Sequence, residues 1–237
     1  MKLNLLPVAA GLVAVGATQK IKVTTDAPQK VFLGDSITEI TCWRPLVWSQ
    51  LSSANLTSSI QLVGSMNNLQ SNCQKPAGFD AHHEGHSGYQ AYDVARNNVV
   101  GWVKNTMPDV VQFMLGTNDV NIGKRDANTI LGAYTSILGS LRAANPNVSV
   151  IVDKLIPTSW SDKTVEAVNT AIPGWAAQHN TSQSPVTVAD CSRAGGMTNA
   201  MLRSDGVHPN DQGDQFIAKQ LSPVLIRVIK AKIGASA

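Results

Sequence analysis

Short apolar runs alternate with longer stretches of helical periodicity along most of the chain. The apolar runs cover residues 31–34, 60–64, 110–115, 148–155 and 186–189. Each is short, rich in Val, Ile or Leu and without clear alternation, which is typical of parallel strands buried on both faces. Five such strands with helices between them predict a parallel sheet sandwiched between two layers of helices.

Helical periodicity fills the intervals between the predicted strands. We predict helices over residues 43–51, 89–104, 163–178 and 211–230, and a further helical face formed by Ile130, Leu131, Tyr134, Leu138 and Leu141. Pro173 should end or kink the helix over 163–178, because proline lacks the amide hydrogen that a helix interior needs. Ligands of parallel sheets bind beyond the carboxyl ends of the strands, so useful side chains should follow the strands directly.

Composition limits the class of protein. A chain of 237 residues is long enough for one sizeable α/β domain and too short for two comfortable ones. Hydrophobic residues make up 43% and charged residues 15%, which is a globular composition. The net charge is +3 without a long basic run, which argues against a nucleic-acid partner.

The first residues predict export. One lysine, an apolar run and the small residues Val15-Gly16-Ala17 are typical of a secretory signal peptide over residues 1–17. A buried first helix is the alternative. Cleavage after Ala17 would leave residues 18–30 as a polar lead-in or pro-segment and residues 31–237 as the single domain. No later run is long and apolar enough to span a membrane.

Two further features fit a secretory route. The glycosylation sequons begin at Asn55, Asn147 and Asn180. The three cysteines are Cys42, Cys73 and Cys191, and an odd number in an exported chain leaves one unpaired.

Polar blocks follow the predicted strands. They are Asp35-Ser36 after the first, residues 82–88 after the second, residues 116–119 after the third and residues 205–209 after the fifth. Taken singly, Asp35-Ser36 is a common turn and Asn118 a common helix cap. Their shared position at strand ends is what favours an active site.

The blocks hold the parts that a serine nucleophile requires. A base must take the serine proton, and a third group must orient that base. Asp205 and His208 lie three positions apart, which can hold the imidazole with Nε2 free for Ser36. The amides of Ser36 and Gly88 and the side chain of Asn118 could then stabilise a developing oxyanion.

These blocks resemble the SGNH hydrolases, also called GDSL-type esterases and lipases. The motifs are Gly34-Asp35-Ser36-Ile37-Thr38, Gly88, Gly116-Thr117-Asn118-Asp119 and Asp205-Gly206-Val207-His208-Pro209. Three further segments resemble carbohydrate esterase family 3, secreted microbial enzymes that deacetylate xylan: Cys42-Trp43-Arg44, Val63-Gly64-Ser65 and residues 83–89. The resemblance implies a three-layer α/β/α sandwich, with a five-stranded parallel sheet in flavodoxin-like order.

The resemblance also implies roles. Ser36 becomes the nucleophile, His208 the base and Asp205 its orienting acid, while Ser36, Gly88 and Asn118 become oxyanion donors, with Gly85 as the competing glycine. We expect Asp35 to orient its neighbours and His86 to lie near the pocket. Arg44 should line the cleft or pair with a loop acid. Trp43, where the first predicted helix begins, and Trp160, in a predicted loop, are the tryptophans that we expect to face a sugar.

Two other expectations concern the histidine-rich loop and the cysteines. His82, His83, Glu84 and His86 have no second ligand cluster beside them, so we expect no metal or other cofactor and assign them to hydrogen bonding around Gly88. In a flavodoxin-like order the first two strands are neighbours. This predicts a Cys42–Cys73 disulfide, with Cys191 free and buried.

The function expected from this resemblance is a secreted, monomeric serine esterase. It would hydrolyse acetyl esters on xylan or related plant polysaccharides through an acyl-serine intermediate. The alternatives are a lipase, phospholipase-like enzyme or short-chain carboxylesterase of the same superfamily, and a non-catalytic polysaccharide-binding relative.

Overall fold

Residues 27–234, which the computed structural model describes, form a central sheet with helices on both faces. The strands are β1 (Gln29–Gly34), β2 (Gln61–Leu62), β3 (Met66–Asn67), β4 (His82–Gly85), β5 (Val110–Met114), β6 (Ser149–Asp153) and β7 (Val186–Ala189). The helices are α1 (Ser36–Glu39), α2 (Trp43–Ser53), α3 (Ala91–Asp93), α4 (Val99–Thr106), α5 (Thr117–Asn121), α6 (Ala127–Ala144), α7 (Asp162–His179) and α8 (Asp211–Gly234). A π-helical turn, Val94–Asn98, joins α3 to α4.

The sheet is mostly parallel, as predicted. Its strand order is β3-β4-β1-β5-β6-β7, and β2 pairs with β1 outside this path. Strands β4, β1, β5, β6 and β7 run parallel, whereas β3 is antiparallel to β4. Helix α2 packs against α8 in one helical layer, and α6 packs against α4 and α7 in the other. The predicted α/β sandwich is confirmed, with seven strands instead of five.

The second strand departs from the prediction. The apolar run over 60–64 pairs only at Gln61 and Leu62, against the first two residues of β1. The end of β1 pairs instead with β4, a segment that we predicted as a loop. In this pairing Leu33 lies opposite Glu84. The sequence of β4 is polar, but His83 and Glu84 are buried and hydrogen-bonded, so hydrophobicity did not reveal this strand.

Two boundaries also differ. Strand β1 begins at Gln29, so the last two residues of the predicted lead-in belong to the sheet. Pro173 lies inside α7, which continues to His179, so the prediction that it ends the helix is wrong. Burial of Ile172, Trp175 and Ala176 on the inner face offsets the hydrogen bond lost at the proline.

The structure covers some of the features that predict export, but not the signal peptide. The signal peptide over 1–17 lies outside the described residues. A disulfide joins Cys42 to Cys73, and Cys191 is free and buried. The three sequon residues Asn55, Asn147 and Asn180 are all exposed. Between residues 27 and 234, no helix has both the length and the apolar character needed to cross a bilayer.

Candidate active site

A sharp turn from β1 into α1 presents Ser36 at the carboxyl edge of the sheet. Ser36 is the first residue of α1, and the Asp35 carboxylate caps this helix by accepting a 2.9 Å hydrogen bond from the Ile37 amide. A Cβ on Gly34 would lie 2.8 Å from the Cβ of Thr38, so a larger residue would open the turn. The glycine, the aspartate and the threonine of this motif therefore hold the serine in place.

His208 reaches Ser36 from the loop between β7 and α8. Its Nε2 lies 2.7 Å from Ser36 Oγ, and its Nδ1 lies 2.9 Å from Asp205 Oδ2. Because a carboxylate only accepts, Nδ1 carries the proton in the neutral ring and Nε2 is left to accept from the serine hydroxyl. The structure thus brings together the three residues that the sequence pattern assigned to one chemical unit.

The Asp205 carboxylate is held ionised. Its Oδ1 accepts hydrogen bonds of 2.9 Å from the amides of Val207 and His208. Partial burial by itself would raise the pKa of Asp205, but these amides and the His208 ring outweigh it and lower the pKa below its ordinary value. A carboxylate of this kind favours the imidazolium form of His208 when the ring takes a proton.

Asn118 lies at the start of α5, beside the serine turn. Its Nδ2 donates to the carbonyl of Tyr89 at 3.0 Å and lies 3.4 Å from Asp35 Oδ2. Asn118 is only 8% exposed, so its amide group is held by protein groups on both sides. The side chain connects the turn that carries Ser36 to the segment that carries Gly88.

The Gly88 segment, residues 87–92, is held by hydrogen bonds at both ends. On one side, the amide and the hydroxyl of Ser87 donate to Glu39 Oε2 at 2.7 and 2.6 Å, which anchors the segment to the helix of the serine. On the other side, Asp119 accepts from the amides of Ala91 and Tyr92 at 2.6 and 3.0 Å. The intervening residues are therefore positioned before any ligand binds.

The two candidate glycines differ in environment. Gly88 is exposed and has φ +82°, a conformation that glycine adopts without strain. Gly85 ends β4, and its amide already donates to His83 Nδ1 at 3.0 Å. A Cβ on Gly85 would also lie 2.8 Å from Thr38, so packing accounts for this glycine. The next helix begins at Ala91, two residues later than predicted.

The histidines of the loop have separate partners. His82 bonds Asp80, His86 bonds Glu84 at 2.6 Å, and His83 bonds Asn68 at 2.8 Å. Burial, together with nearby Arg44 and His86, lowers the pKa of His83 to about 3, so the ring is neutral and its Nδ1 can accept from Gly85. Within residues 27–234, no three His, Cys, Asp or Glu side chains are grouped to hold a metal ion.

His86 packs against Tyr89 of the Gly88 segment and Trp102 of α4. Its ring stacks on Tyr89 and on Trp102, with centroids 4.8 Å apart in both pairs. Glu84 in turn accepts from the amide and the hydroxyl of Ser65 at 2.9 and 2.5 Å. The side chain of His86 is 16% exposed, so it stays a candidate for the edge of the pocket.

Two buried carboxyl groups lie beneath the site. Burial raises the pKa of Asp35 to about 7, with a further contribution from the nearby Asp119 carboxylate. Burial also raises the pKa of Asp119, although the amides of Tyr92 and Ala91 oppose this. Asp35 faces the Ile37 amide and Asn118 rather than Ser36 Oγ, so it orients its neighbours as expected.

Two sequence-based candidates are wrong. Arg44 is completely buried and donates to the carbonyls of Thr38, Ala81 and Asn68 at 2.8 to 3.1 Å, so it neither lines a cleft nor pairs with an acid. Trp43 is also buried, and its indole nitrogen donates to the Ile37 carbonyl. Both residues donate hydrogen bonds to backbone carbonyls of α1 and so stabilise the turn that carries Ser36. Only the tertiary contacts reveal this role.

Sequence reasoning gave no role to two supporting residues, Glu39 and Asp119, which hold the ends of the Gly88 segment. Glu84, which it assigned to hydrogen bonding around Gly88, holds His86. Glu39 and Asp119 each lie three or fewer positions from a predicted site residue. A search for acids within the first turn after Ser36 and Asn118 would have found them.

The fold and the Ser–His–Asp arrangement define the class of protein, a serine-type hydrolase on an α/β/α sandwich. Residues 32–216 match the GDSL-like Lipase/Acylhydrolase family. The chain therefore belongs to this family and, within it, to carbohydrate esterase family 3, and it is a carboxylic ester hydrolase.

Three solved structures support the narrower assignment. An acetyl esterase variant with serine replaced by alanine, crystallised with acetate ion, is 68% identical; the match covers 86% of this chain and 99% of that chain, with TM-score 0.85. A carbohydrate esterase family 3 protein from Talaromyces cellulolyticus has the same identity, coverage and TM-score. A family 3 carbohydrate esterase from Clostridium thermocellum is 25% identical over 86% of this chain and 98% of that chain, with TM-score 0.72. A search of curated protein sequences found no match.

Proposed function

We propose that the protein is a secreted serine esterase that removes acetyl groups from xylan or related plant polysaccharides. The observation that carries this proposal is the contact of 2.7 Å between His208 Nε2 and Ser36 Oγ, with Asp205 behind the ring at 2.9 Å. A serine paired in this way can form an acyl intermediate and needs no metal or other cofactor to do so.

The first half of the reaction forms an acetyl-serine. Ser36 Oγ attacks the acetyl carbonyl carbon while its proton passes to His208 Nε2. The tetrahedral intermediate collapses when the same proton moves from Nε2 to the departing sugar oxygen, which leaves as a hydroxyl. Asp205 stabilises the imidazolium during this exchange and keeps its own charge.

The second half releases acetate. Water enters on the side that the sugar has left, gives a proton to His208 Nε2 and attacks the acetyl-serine carbonyl. Collapse of the second tetrahedral intermediate breaks the bond to Ser36 Oγ, which takes the proton back from the ring. The serine is free for another cycle.

Three donors would stabilise the oxyanion in both halves. The Ser36 amide lies in the first turn of α1, where amides lack a partner within the helix. Gly88 supplies an exposed amide from a braced segment. Asn118 keeps its 3.0 Å hydrogen bond to the Tyr89 carbonyl and turns its other N–H, which lies towards Asp35 Oδ2 at 3.4 Å in this structure, to the oxyanion. Donors placed before the reaction avoid the cost of reorganising water around a new charge.

The substrate class and location have their own support. One relative at 68% identity is an acetyl esterase and another is a carbohydrate esterase, which suits an acetylated sugar as substrate. The predicted signal peptide, the Cys42–Cys73 disulfide and three exposed sequon residues are all consistent with an oxidising, extracellular setting.

Acetate release from acetylated xylan tests the proposal, with wild type compared against Ser36→Ala. We expect release by the wild type and a loss on the order of 10⁴-fold or more in the variant. Long-chain lipid esters form the second arm. Hydrolysis of those esters without activity on xylan would replace the proposal with a lipase function, and sugar binding without hydrolysis would indicate a non-catalytic protein.

A further inference from the structure

One large aromatic side chain near the site is mostly exposed. Trp160 is 68% exposed, whereas Trp43, Trp48 and Trp175 are at most 6% exposed. A tryptophan held in water loses much of the free energy that burial would supply, and its place beside the triad loop makes it a candidate contact for a ligand.

Trp160 lies against the loop that carries the triad acid and base. A Cβ built on Gly206 would lie 3.7 Å from Trp160 Nε1, and Gly206 comes directly after Asp205. The amide of the preceding residue, Ser159, donates to the Gly206 carbonyl at 2.9 Å. The backbone next to Trp160 is therefore tied to the triad loop by one hydrogen bond, and the indole nitrogen lies close to Gly206.

The backbone on both sides of Trp160 is constrained. Residues 155–158 are buried, the Ser161 amide lies 3.3 Å from Thr158 Oγ1, and α7 begins at Asp162. Trp160 is thus the exposed tip of a short, anchored connection. An aromatic surface on a fixed backbone can contact a ligand with little loss of conformational entropy.

The chemistry of the reaction decides which part of the substrate lies on this side. The departing sugar oxygen receives its proton from His208 Nε2, so it must come within about 3 Å of that nitrogen. In the proposed mechanism the acetyl oxygen binds at Gly88 and Asn118, whereas the sugar oxygen binds at His208. The sugar ring is then expected over the loop that carries His208, which Trp160 adjoins.

We propose that Trp160 is the platform for the sugar that leaves, stacking its indole face on the apolar face of a pyranose ring. The C–H bonds of that face carry partial positive charge, which complements the negative face of the indole. This inference rests on the proposed function, because it takes an acetylated pyranose as the substrate. Trp160 would set specificity between sugar esters and simple alkyl esters without taking part in bond making.

Kinetics separate the two kinds of ester. For Trp160→Ala we expect kcat/KM on acetylated xylooligosaccharides to fall roughly tenfold, mainly through KM, with Trp160→Phe losing less. Activity on ethyl acetate should be unchanged, since its leaving group has no ring. Val100→Ala, which shortens an apolar side chain that is 63% exposed on α4, is the matched control and should match wild type on both esters.

Binding gives a second readout that does not need turnover. In the Ser36→Ala background, Trp160→Ala should bind acetylated xylooligosaccharides roughly tenfold more weakly by calorimetry, and Val100→Ala should bind as tightly as its parent. Equal loss on both esters would show that Trp160 only supports the triad loop, and unchanged binding would show that it contacts no sugar. Either result overturns the inference. Failure of the proposed function would appear separately, as wild type that releases no acetate from xylan.

Discussion

His208 Nε2 lies 2.7 Å from Ser36 Oγ, although 172 positions separate the two residues along the chain. Ser36 follows β1 at the centre of the sheet, and His208 follows β7 at its edge. The loop after β7 must therefore reach back across the ends of β6 and β5. Within that loop, Arg203 helps to fix the turn, because its amide donates to the His208 carbonyl and its guanidinium donates to the carbonyl of Pro209.

The first prediction is that the triad acts as one unit. Asp205→Asn should lower kcat on the order of 10³–10⁴-fold, because an amide that donates to Nδ1 would favour the tautomer with Nε2 protonated. The double variant Ser36→Ala/His208→Ala should be no slower than either single variant, as measured by acetate release. Multiplicative losses would contradict a shared role for Ser36 and His208.

A second prediction concerns the oxyanion donor on α5. Asn118→Ala should lower kcat on the order of 10²–10³-fold while KM and the unfolding midpoint change little. Asn121→Ala is the matched control, since Asn121 lies on the same short helix, its Nδ2 has no hydrogen-bond partner among residues 27–234, and its Oδ1 accepts only a long 3.4 Å hydrogen bond from Thr158. Near-full activity in Asn118→Ala, or an equal loss in Asn121→Ala, would remove Asn118 from the proposed oxyanion hole.

Stability should depend on the protonation of Asp35. Its pKa is about 7 in the folded protein, whereas the ordinary pKa of an aspartate is 3.8, so the folded state binds this proton more tightly. The contribution is fully present below pH 3.8 and is lost as the pH rises through about 7, a difference of at most about 4 kcal/mol.

Asp35→Asn tests this dependence, because asparagine cannot ionise and its oxygen can still cap the Ile37 amide. The free energy of unfolding, measured in denaturant from pH 4 to pH 8, should decline less steeply in the variant than in wild type. Asp126→Asn is the control: the hydrogen bond from the Thr129 amide lowers the pKa of Asp126, so its contribution to stability has the opposite sign and cannot cause a decline as the pH rises. Parallel declines in wild type and Asp35→Asn would refute the assignment.

The disulfide should stabilise the fold without serving the chemistry. Cys42 and Cys73 are 31 positions apart, and closing a loop of this length is worth about 3–4 kcal/mol in the chain-entropy treatment. Cys42→Ala/Cys73→Ala should therefore unfold at lower denaturant concentration and keep its kcat under native conditions. Cys191→Ala is the control. It keeps the disulfide, so adding a reductant should still lower its unfolding midpoint. An unchanged midpoint on reducing the wild type would contradict this account.

Some strands and helices could be predicted from the sequence, and others could not. Strands β1, β5 and β6 were predictable because they are largely apolar and buried on both faces, and β7 because it is a short run rich in valine, although its two middle residues are only half-buried. The helices were predictable because their apolar faces repeat every three or four residues. Strand β4 was not, because His83 and Glu84 enter the interior by forming hydrogen bonds with Asn68 and Ser65. Hydrophobic patterns carry no information about polar groups that are satisfied by distant partners.

The candidate residues of the site divide in the same way. Some could be recognised from the sequence, and others only from the structure. The pattern of blocks at strand ends was enough to select Ser36, His208, Asp205 and Asn118, since catalysis requires those residue types at the same edge of the sheet. It could not distinguish Arg44, which is buried against backbone carbonyls, from Trp160, which is exposed beside the triad loop. A charged side chain and an aromatic one are each compatible with a core or a surface until the surrounding chain is in place.

From the amino-acid sequence follow most of the strands and helices, β4 excepted, and the candidates for nucleophilic chemistry, because both depend on local composition and spacing. Only the tertiary structure decided which strand lies beside β1, how Glu39 and Asp119 brace the Gly88 segment, and which tryptophan is free to meet a ligand. Those features depend on contacts between residues far apart in the chain, and the free energy of such contacts is set by burial and hydrogen-bond satisfaction in the assembled fold.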